Sequence, residues 1–137
     1  MNYLIDTNVI LDVLLKRNPF YYNSAEILNL SAQDNIQLYV SASAVTDIYY
    51  IANQTLRNKT EAKQMLEKLI KVVSVACVSE NEIKNALRLT WNDFEDSVQY
   101  SVALLQEMDG IITRNPNDYK KSKIKIWTPE ELLMQHS

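Results

Sequence analysis

The chain has 137 residues, a formal net charge of −3 and a pI of about 5.1. This length suits one domain that buries its own core, so we expect a single domain spanning residues 1–137. The acidic balance argues against a protein that binds nucleic acid by diffuse basic attraction, since such domains usually carry a strongly basic face. Any contact with nucleic acid is therefore expected to be local.

Cysteine and histidine are nearly absent. Cys77 is the only cysteine, which excludes an internal disulfide or a Cys-rich zinc site and fits a reducing cytosol. His136 is the only histidine, and its place beside the C-terminus argues against Ser-His-Asp or Cys-His catalysis. Asp6 leaves no room for a signal peptide, and the apolar stretch 72–78 is far shorter than the about 20 residues that span a bilayer. We expect a soluble, cytoplasmic protein with no membrane partner.

Short β-rich runs alternate with longer segments of helical period, which predicts an α/β protein with a mainly parallel sheet. In chain order, the predicted strands are residues 2–6, 37–41, 72–78, 110–113 and 125–127. The predicted helices are residues 8–15, 24–34, 44–56, 61–70, 80–89 and 95–108, and a further helix start follows Thr128.

Local signals place several of these boundaries. Ser79 with Glu82 and Thr128 with Glu131 have the spacing of capping boxes. Gly110 is the only glycine, which excludes a glycine-rich phosphate loop. Its place between a helix and a strand predicts a left-handed helix C-cap.

Three acidic residues stand at predicted strand or helix ends: Asp6 after the first strand, Asp96 at the start of a helix and Asp118 beyond the fourth strand. In open parallel sheets, ligands bind beyond the carboxyl ends of the strands where the strand order reverses. If the first and fourth strands are neighbours, these acids share one crevice. Each also has an ordinary structural interpretation, as a helix cap, a helix-start acid or a turn residue.

Asp47 is predicted to point inward, because it shares a helix face with Ala44, Ile48 and Ile51. A carboxylate on such a face needs a partner, and a metal ion would supply one. The alternative is an acid in the first helical turn after a Ser43 cap, favoured by the helix dipole.

Four segments together resemble a PIN domain, and most of all the VapC-like toxins of bacterial toxin-antitoxin pairs. They are the opening YLIDTNVIL at residues 3–11, the inward Asp47, DFED at 93–96 before an apolar helix, and ITRNPNDY at 112–119. The resemblance covers essentially the whole chain, in the expected order and spacing. It implies a three-layer α/β/α fold around a central, mainly parallel sheet of about five strands.

The resemblance also implies a metal-dependent endoribonuclease with Mg²⁺ or Mn²⁺ held among acids. Matched position by position, the catalytic and metal-binding residues are Asp6, Asp47, Asp96 and Asp118, and the supporting residues are Asn8, Asp93, Thr113 and Asn115. Two points stay open. Asn115 is the alternative to Asp118 for the fourth position, and Asp47, which stands where glutamate is usual, contacts metal directly or through water.

The residue types support this chemistry without the family name. Hard oxygen ligands suit Mg²⁺ and Mn²⁺, which activate a bound water for phosphodiester hydrolysis. Basic residues flank Asp118 and are predicted to bind RNA, the alternative being a solvated loop: they are Arg114, Lys120 and Lys121, followed by Lys123 and Lys125. Four aromatic residues either stack on bases or pack in the core or a dimer surface: Tyr49, Tyr50, Trp91 and Tyr119. Trp127 is assigned to packing.

Proteins of this kind commonly form homodimers and are inhibited by a small antitoxin, for which helices 24–34 and 44–56 are the candidate surface. Two rival functions remain. Asp6-Thr7-Asn8 is similar to the strand-end motif of haloacid-dehalogenase-type phosphotransferases, although Asn8 replaces the proton-donating acid. The other rival is a non-catalytic PIN-like module that binds RNA or a protein.

Overall fold

The computed structural model describes residues 1–136, which are organised around a five-stranded sheet. The strands are β1 (Asn2–Ile5), β2 (Gln37–Ser41), β3 (Ser74–Ala76), β4 (Gly110–Ile112) and β5 (Lys125–Trp127). They run in the order β3-β2-β1-β4-β5, and every neighbouring pair is parallel. The predicted parallel sheet is confirmed.

Seven helices and two short 3₁₀ turns connect the strands within the described residues. The helices are α1 (Thr7–Leu14), α2 (Tyr21–Asn29), α3 (Ala42–Leu56), α4 (Lys59–Leu69), α5 (Glu80–Arg88), α6 (Phe94–Leu105) and α7 (Pro129–Gln135). The 3₁₀ turns cover Leu30–Ala32 and Pro116–Tyr119. Both predicted capping boxes are present, at the starts of α5 and α7.

Side chains of the central strand alternate between two buried clusters, as the period of a strand requires. Tyr3 and Ile5 join the cluster that includes residues of α1, α2, α3 and α7, whereas Leu4 joins the one that includes residues of α5 and α6. Both faces of β1 are thus covered, which explains its uninterrupted apolar run. The three-layer α/β/α architecture is confirmed.

The first and fourth strands are neighbours, with Leu4 opposite Ile111 and Ile5 opposite Ile112. Because β2 lies on the other side of β1, the strand order reverses here, and the carboxyl ends of β1 and β4 open onto a crevice. The predicted adjacency is confirmed, and it decides where the acids meet.

The prediction for Gly110 was wrong. The C-cap of α6 is Gln106, and the left-handed residue that follows is Glu107, with φ of 56°. Gly110 instead begins β4, where an added Cβ would lie 2.9 Å from the Lys125 carbonyl oxygen and 2.9 Å from Cδ1 of Trp127. Close approach of β5, rather than a helix cap, explains this glycine.

Several element boundaries also differ from the predictions, most clearly those of β3 and α2. Strand β3 is shorter than 72–78, because the amides of Val72 and Val73 donate to the Leu69 carbonyl and continue the turn after α4. Helix α2 begins at Tyr21 rather than at residue 24 and ends at Asn29. Within residues 1–136, no helix has the length and apolar character needed to cross a membrane.

Candidate metal centre and nucleic-acid crevice

Asp6 lies at the base of the crevice, where β1 ends and α1 begins. It is 8% exposed, and its carboxylate accepts hydrogen bonds from the Thr7 amide (2.8 Å), the Thr113 hydroxyl (2.8 Å) and Nε2 of Gln99 (3.5 Å). Burial raises the pKa of Asp6, and these hydrogen bonds act in the opposite direction. Asp6 is therefore both the N-cap of α1 and a fixed acid at the switch point of the sheet.

Asp96 faces Asp6 from the first turn of α6. Its amide donates to Oδ1 of the N-cap residue Asp93 (3.0 Å), and its Oδ1 accepts from the Tyr119 hydroxyl (3.3 Å). Burial, followed by the charges of Asp6, Asp93 and Asp118, raises the pKa of Asp96 to about 7. Tyr119 is 1% exposed, so the core interpretation of this aromatic residue is confirmed over base stacking.

Asp47 of α3 and Glu95 of α6 form a hydrogen-bonded carboxyl pair at the crevice. Asp47 is half-buried and lines the crevice. Desolvation of the Glu95 carboxyl, then its hydrogen bond and the charge of Asp47, raises the pKa of Glu95 to about 7, although the residue as a whole is exposed. Helix α3 is capped by Ser41, not Ser43, so Asp47 lies beyond the first turn and the dipole alternative fails.

The segment after β4 supplies Asp118, which lines the crevice together with Asp6 and Asp96. Asn115 lies nearby. Its backbone amide donates to the Thr113 hydroxyl (3.1 Å), and its backbone carbonyl accepts from the Asp118 amide (3.0 Å). These backbone bonds shape the turn that presents Asp118, and the choice between Asp118 and Asn115 for the fourth position stays a prediction.

The basic residues predicted to bind substrate divide into two groups. Lys120 and Lys121 line a cleft with Asp118. Nε of Arg114 instead donates to Oδ2 of the fully buried Asp12 (2.5 Å), and its guanidinium carbon lies 4.0 Å above the Phe20 ring. Arg114 thus ties the end of β4 to α1, and its role in substrate binding stays a prediction.

The other predicted positions are accounted for by local contacts. Oδ1 of Asn8 accepts from the Arg114 amide (3.5 Å) beside the crevice. Nζ of Lys125 lies 4.9 Å from the ring of Trp127, which packs against the core as predicted. Lys123 donates its amide to the Tyr100 hydroxyl (3.1 Å).

Three residues at or beside the crevice were not predicted from the sequence as part of the site: Gln99, Glu95 and Arg17. Gln99 could have been found, because it lies three positions after Asp96 on the same helix face. Glu95 lies in the DFED segment, but its pairing with Asp47 of α3 exists only in the folded chain. Arg17 lies after α1, where no sequence period marks it, and lines the crevice with Asp6 and Asp47.

The carboxylates do not form a ready-made metal cage: across residues 1–136, no three acidic, histidine or cysteine side chains converge tightly enough. The donor set nevertheless fits a hydrated divalent ion, because Mg²⁺ keeps several waters and reaches carboxylates partly through them. The Thr7 hydroxyl supports a polar occupant. It is buried at the crevice, and among the described residues its Oγ1 has no hydrogen-bond partner.

Solved structures with this fold include toxin-antitoxin assemblies. The VapBC-1 structure from nontypeable Haemophilus influenzae is 18% identical with a TM-score of 0.70, and the match covers 95% of this chain and 99% of that one. The DNA-bound VapBC from Salmonella typhimurium is 15% identical with a TM-score of 0.73, over 94% and 98%. Mycobacterium tuberculosis VapC20, described as a sarcin-ricin loop cleaving toxin, is 15% identical with a TM-score of 0.63, over 80% and 86%.

No curated protein sequence matches the chain. A family model for the PIN domain, however, matches residues 2–117, most of the length. The order of the strands and the acids at the β1–β4 crevice agree with that match. The chain belongs to the PIN domain family.

Proposed function

We propose that the protein is a divalent-metal-dependent endoribonuclease that acts as the toxin of a toxin-antitoxin pair. The observation that carries the proposal is the meeting of Asp6, Asp47, Asp96 and Asp118 at one crevice, although they come from separate parts of the chain. PIN family membership favours this function over the phosphotransferase alternative.

The residues that would hold Mg²⁺ or Mn²⁺ are Asp6, Asp96 and Asp118, with Asp47 or Glu95 reached through water. When bound, the ion supplies an activated water and neutralises charge on the phosphate. The chain's own part is to fix the acids. Thr113 and the Thr7 amide orient Asp6, and Tyr119 holds Asp96.

RNA is the proposed substrate, because the crevice has cations beside the acids although the whole chain is acidic. Lys120 and Lys121 would contact phosphates that flank the scissile bond. The description of Mycobacterium tuberculosis VapC20 as a toxin that cleaves the sarcin-ricin loop supports RNA as the class of substrate. We do not propose that this chain cleaves the sarcin-ricin loop itself.

An antitoxin and a second copy of the chain are the proposed protein partners. The VapBC structures with this fold support an antitoxin. We propose that it binds α2 and α3, the second of which carries Asp47 and the exposed Tyr50 at the crevice. An inhibitor on that face would cover the acids.

A non-catalytic RNA- or protein-binding module is the second candidate. The observation that favours it is the absence, among residues 1–136, of a preformed metal cluster. The presence of Asp47 where PIN domains usually have glutamate also favours a non-catalytic module.

The test is cleavage of labelled single-stranded and structured RNAs by the purified chain in Mg²⁺, Mn²⁺ or EDTA. We expect metal-dependent cutting that falls at least about a hundredfold in Asp6→Asn and Asp96→Asn, because charge stabilisation by positioned groups commonly contributes that much. Asp34→Asn is the matched control, since this exposed carboxylate precedes β2 and so lies at the amino ends of the parallel strands, away from the crevice at their carboxyl ends. Cutting that survives in both site variants would overturn the proposal.

A further inference from the structure

Asp12 is the most deeply buried carboxylate among the described residues. It lies on α1 with 0% of its surface exposed, and one guanidinium binds both of its oxygens. Nε of Arg114 donates to Oδ2 (2.5 Å) and Nη2 donates to Oδ1 (3.3 Å), whereas Nη1 of Arg17 lies 3.9 Å from Oδ1. Two bonds between planar groups fix the orientation of the Arg114 side chain as well as balancing its charge.

Stability alone does not explain why the chain buries this ion pair. Removal of two charges from water costs about as much free energy as their pairing returns, and two apolar side chains of similar shape often give equal or greater stability. In some proteins a buried polar or ionic group instead fixes the relative position of two elements. Here the pair joins α1 to the segment after β4, because Asp12 lies on the helix and Arg114 in that segment.

Arg114 lies in the middle of the segment that presents the acids of the crevice. The Thr113 hydroxyl, one position earlier, donates to Oδ2 of Asp6 (2.8 Å). The Asn115 carbonyl, one position later, accepts from the Asp118 amide (3.0 Å). These three consecutive residues lie between β4 and the 3₁₀ turn, so the regular backbone bonding of a strand or helix does not fix them. The guanidinium supplies an anchor from the side-chain direction.

Helix α1 holds Arg114 at two points on one face. Asn8 and Asp12 are four positions apart, so their side chains lie on the same face of the helix. Oδ1 of Asn8 accepts from the backbone amide of Arg114 (3.5 Å), while Asp12 binds the guanidinium. The Phe20 ring covers the guanidinium, with its centroid 4.0 Å from the guanidinium carbon. Both the backbone and the side chain of Arg114 are thus fixed against the helix that Asp6 caps.

We propose that Asp12 is a positioning residue that acts through Arg114 to hold Asp6 and Asp118 in the arrangement that binds the divalent cation. This inference rests on the proposed metal-dependent function. It adds a carboxylate that contacts neither cation nor RNA, because its surface is fully enclosed. Groups that orient metal ligands from outside the ligand set commonly change metal affinity by about ten- to a hundredfold.

The test separates positioning from stability by replacing both members of the pair at once. Asp12→Leu with Arg114→Met keeps the branched shape of the first side chain and the long stem of the second, and it leaves neither charge of the pair buried alone. Glu80→Leu with Lys84→Met is the matched control, because this exposed ion pair on α5 (3.4 Å) also has no net charge and does not line the crevice. Urea unfolding, calorimetric Mn²⁺ affinity and affinity for a fluorescent single-stranded RNA in EDTA are measured for each protein.

We expect the Asp12→Leu/Arg114→Met protein to unfold at the same urea concentration as the wild type or a higher one, because an apolar pair replaces a buried ion pair without loss. Its affinity for Mn²⁺ should nevertheless fall about tenfold, since the acids lose their common anchor. RNA affinity in EDTA should change by less than about twofold, since no phosphate contact is removed. During cleavage at saturating Mn²⁺, kcat should fall while KM stays within about twofold.

Arg114→Lys gives a second measurement that does not depend on the folding of the double variant. Lysine keeps a positive charge beside Asp12 but lacks the planar fork that makes two bonds at once. This variant should stay folded and bind Mn²⁺ more weakly than the wild type. The control pair Glu80→Leu/Lys84→Met should match the wild type in Mn²⁺ affinity.

Mn²⁺ affinity equal to that of the wild type in either folded variant of the Asp12–Arg114 pair would overturn the inference. Weaker RNA binding in EDTA at unchanged Mn²⁺ affinity would overturn it too, and would assign Arg114 to substrate binding. The outcomes also separate the two proposals. If the wild type binds Mn²⁺ more tightly than these variants but never cuts RNA, the nuclease function fails while the positioning role of Asp12 stands.

Discussion

Three hydrogen bonds to the buried Asp6 decide how its carboxylate is presented. The Thr7 amide and the Thr113 hydroxyl occupy one oxygen each, at 2.8 Å, while Gln99 lies at 3.5 Å from Oδ1. Oδ1 accepts two of these bonds and Oδ2 accepts one, so of the about four lone-pair sites of an ionised carboxylate a free one remains on Oδ2. The hydrogen bonds thus hold the carboxylate in one orientation and leave it able to bind a cation, as a metal ligand requires.

Replacing Thr113 by valine removes one of these donors at nearly constant volume. We expect a loss of ~2 kcal/mol in the free energy of unfolding, since hydrogen bonds to charged groups contribute about that much. The pKa of Asp6 should rise further, because the Thr113 hydroxyl is one of the groups that lower it. Urea unfolding monitored by circular dichroism gives the first quantity.

Thr7→Val provides the control for that substitution. The Thr7 hydroxyl is also buried, but no hydrogen-bond partner exists for it among residues 1–136. Its replacement should leave stability unchanged or slightly raised, because no bond is lost. Thr113→Val also removes the acceptor of the Asn115 backbone amide, so equal losses in the two variants would mean that packing, rather than the two hydrogen bonds of the Thr113 hydroxyl, sets the cost at position 113.

The sequence correctly predicts those helices and strands whose signals lie within a few neighbouring residues. The capping boxes at Ser79 and Thr128 appear because their partners lie within one helical turn, and β1 and β4 appear because both are short apolar runs. The positions of the acids at strand ends followed from the parallel topology.

The remaining features depend on packing between distant elements. Burial raises the pKa of Glu95, and the hydrogen bond and charge of Asp47, which comes from the distant helix α3, raise it further. Arg114 is held by Asp12, which lies more than 100 positions earlier in the chain. Because the sequence does not reveal this partner, the charge of Arg114 led to the prediction that it binds substrate. Gly110 suggested a helix cap because the close approach of Trp127 is invisible in the local pattern.

Gly110→Ala tests that contact between β4 and β5. An added Cβ would meet the backbone oxygen of Lys125 at 2.9 Å, which cannot move without disturbing the strand pair. We expect a loss of about 1–3 kcal/mol in stability, the usual cost of overpacking. Activity should fall as well, since β4 presents Thr113 to the site.

Ser74→Ala, on the exposed start of the edge strand β3, is the comparison for Gly110→Ala in thermal unfolding. It should change stability by less than about 0.5 kcal/mol, as exposed substitutions commonly do. A Gly110→Ala protein as stable as this comparison would show that the two strands separate freely at that point.

For the whole molecule, the crowded acids couple stability to pH. The pKa of Asp96 rises from 3.8 to about 7, and that of Glu95 from 4.5 to about 7. The folded chain therefore holds these protons more tightly than the unfolded chain does. Stability of the metal-free protein must fall as pH rises through this interval and level off above it.

Asp96→Asn should remove part of the loss of stability that occurs as the pH rises. At mildly alkaline pH we expect the variant to be more stable than the wild type by ~1 kcal/mol, a figure reduced for solvent screening of a partly exposed group. Near the lower end of the interval the two should be alike. Urea unfolding in EDTA at several pH values measures the difference, and a variant less stable at every pH would contradict the charge-crowding explanation.

We propose that carboxylates from distant parts of the chain form one divalent-cation site. Calorimetric titration of Mn²⁺ into the purified wild type at mildly alkaline pH, beside Asp6→Asn and the control Asp34→Asn, tests it most directly. We expect saturable binding by the wild type and Asp34→Asn, and at least about tenfold weaker binding by Asp6→Asn, the usual effect of losing a ligand or its support. No binding by the folded wild type, or equal binding by Asp6→Asn, would contradict it.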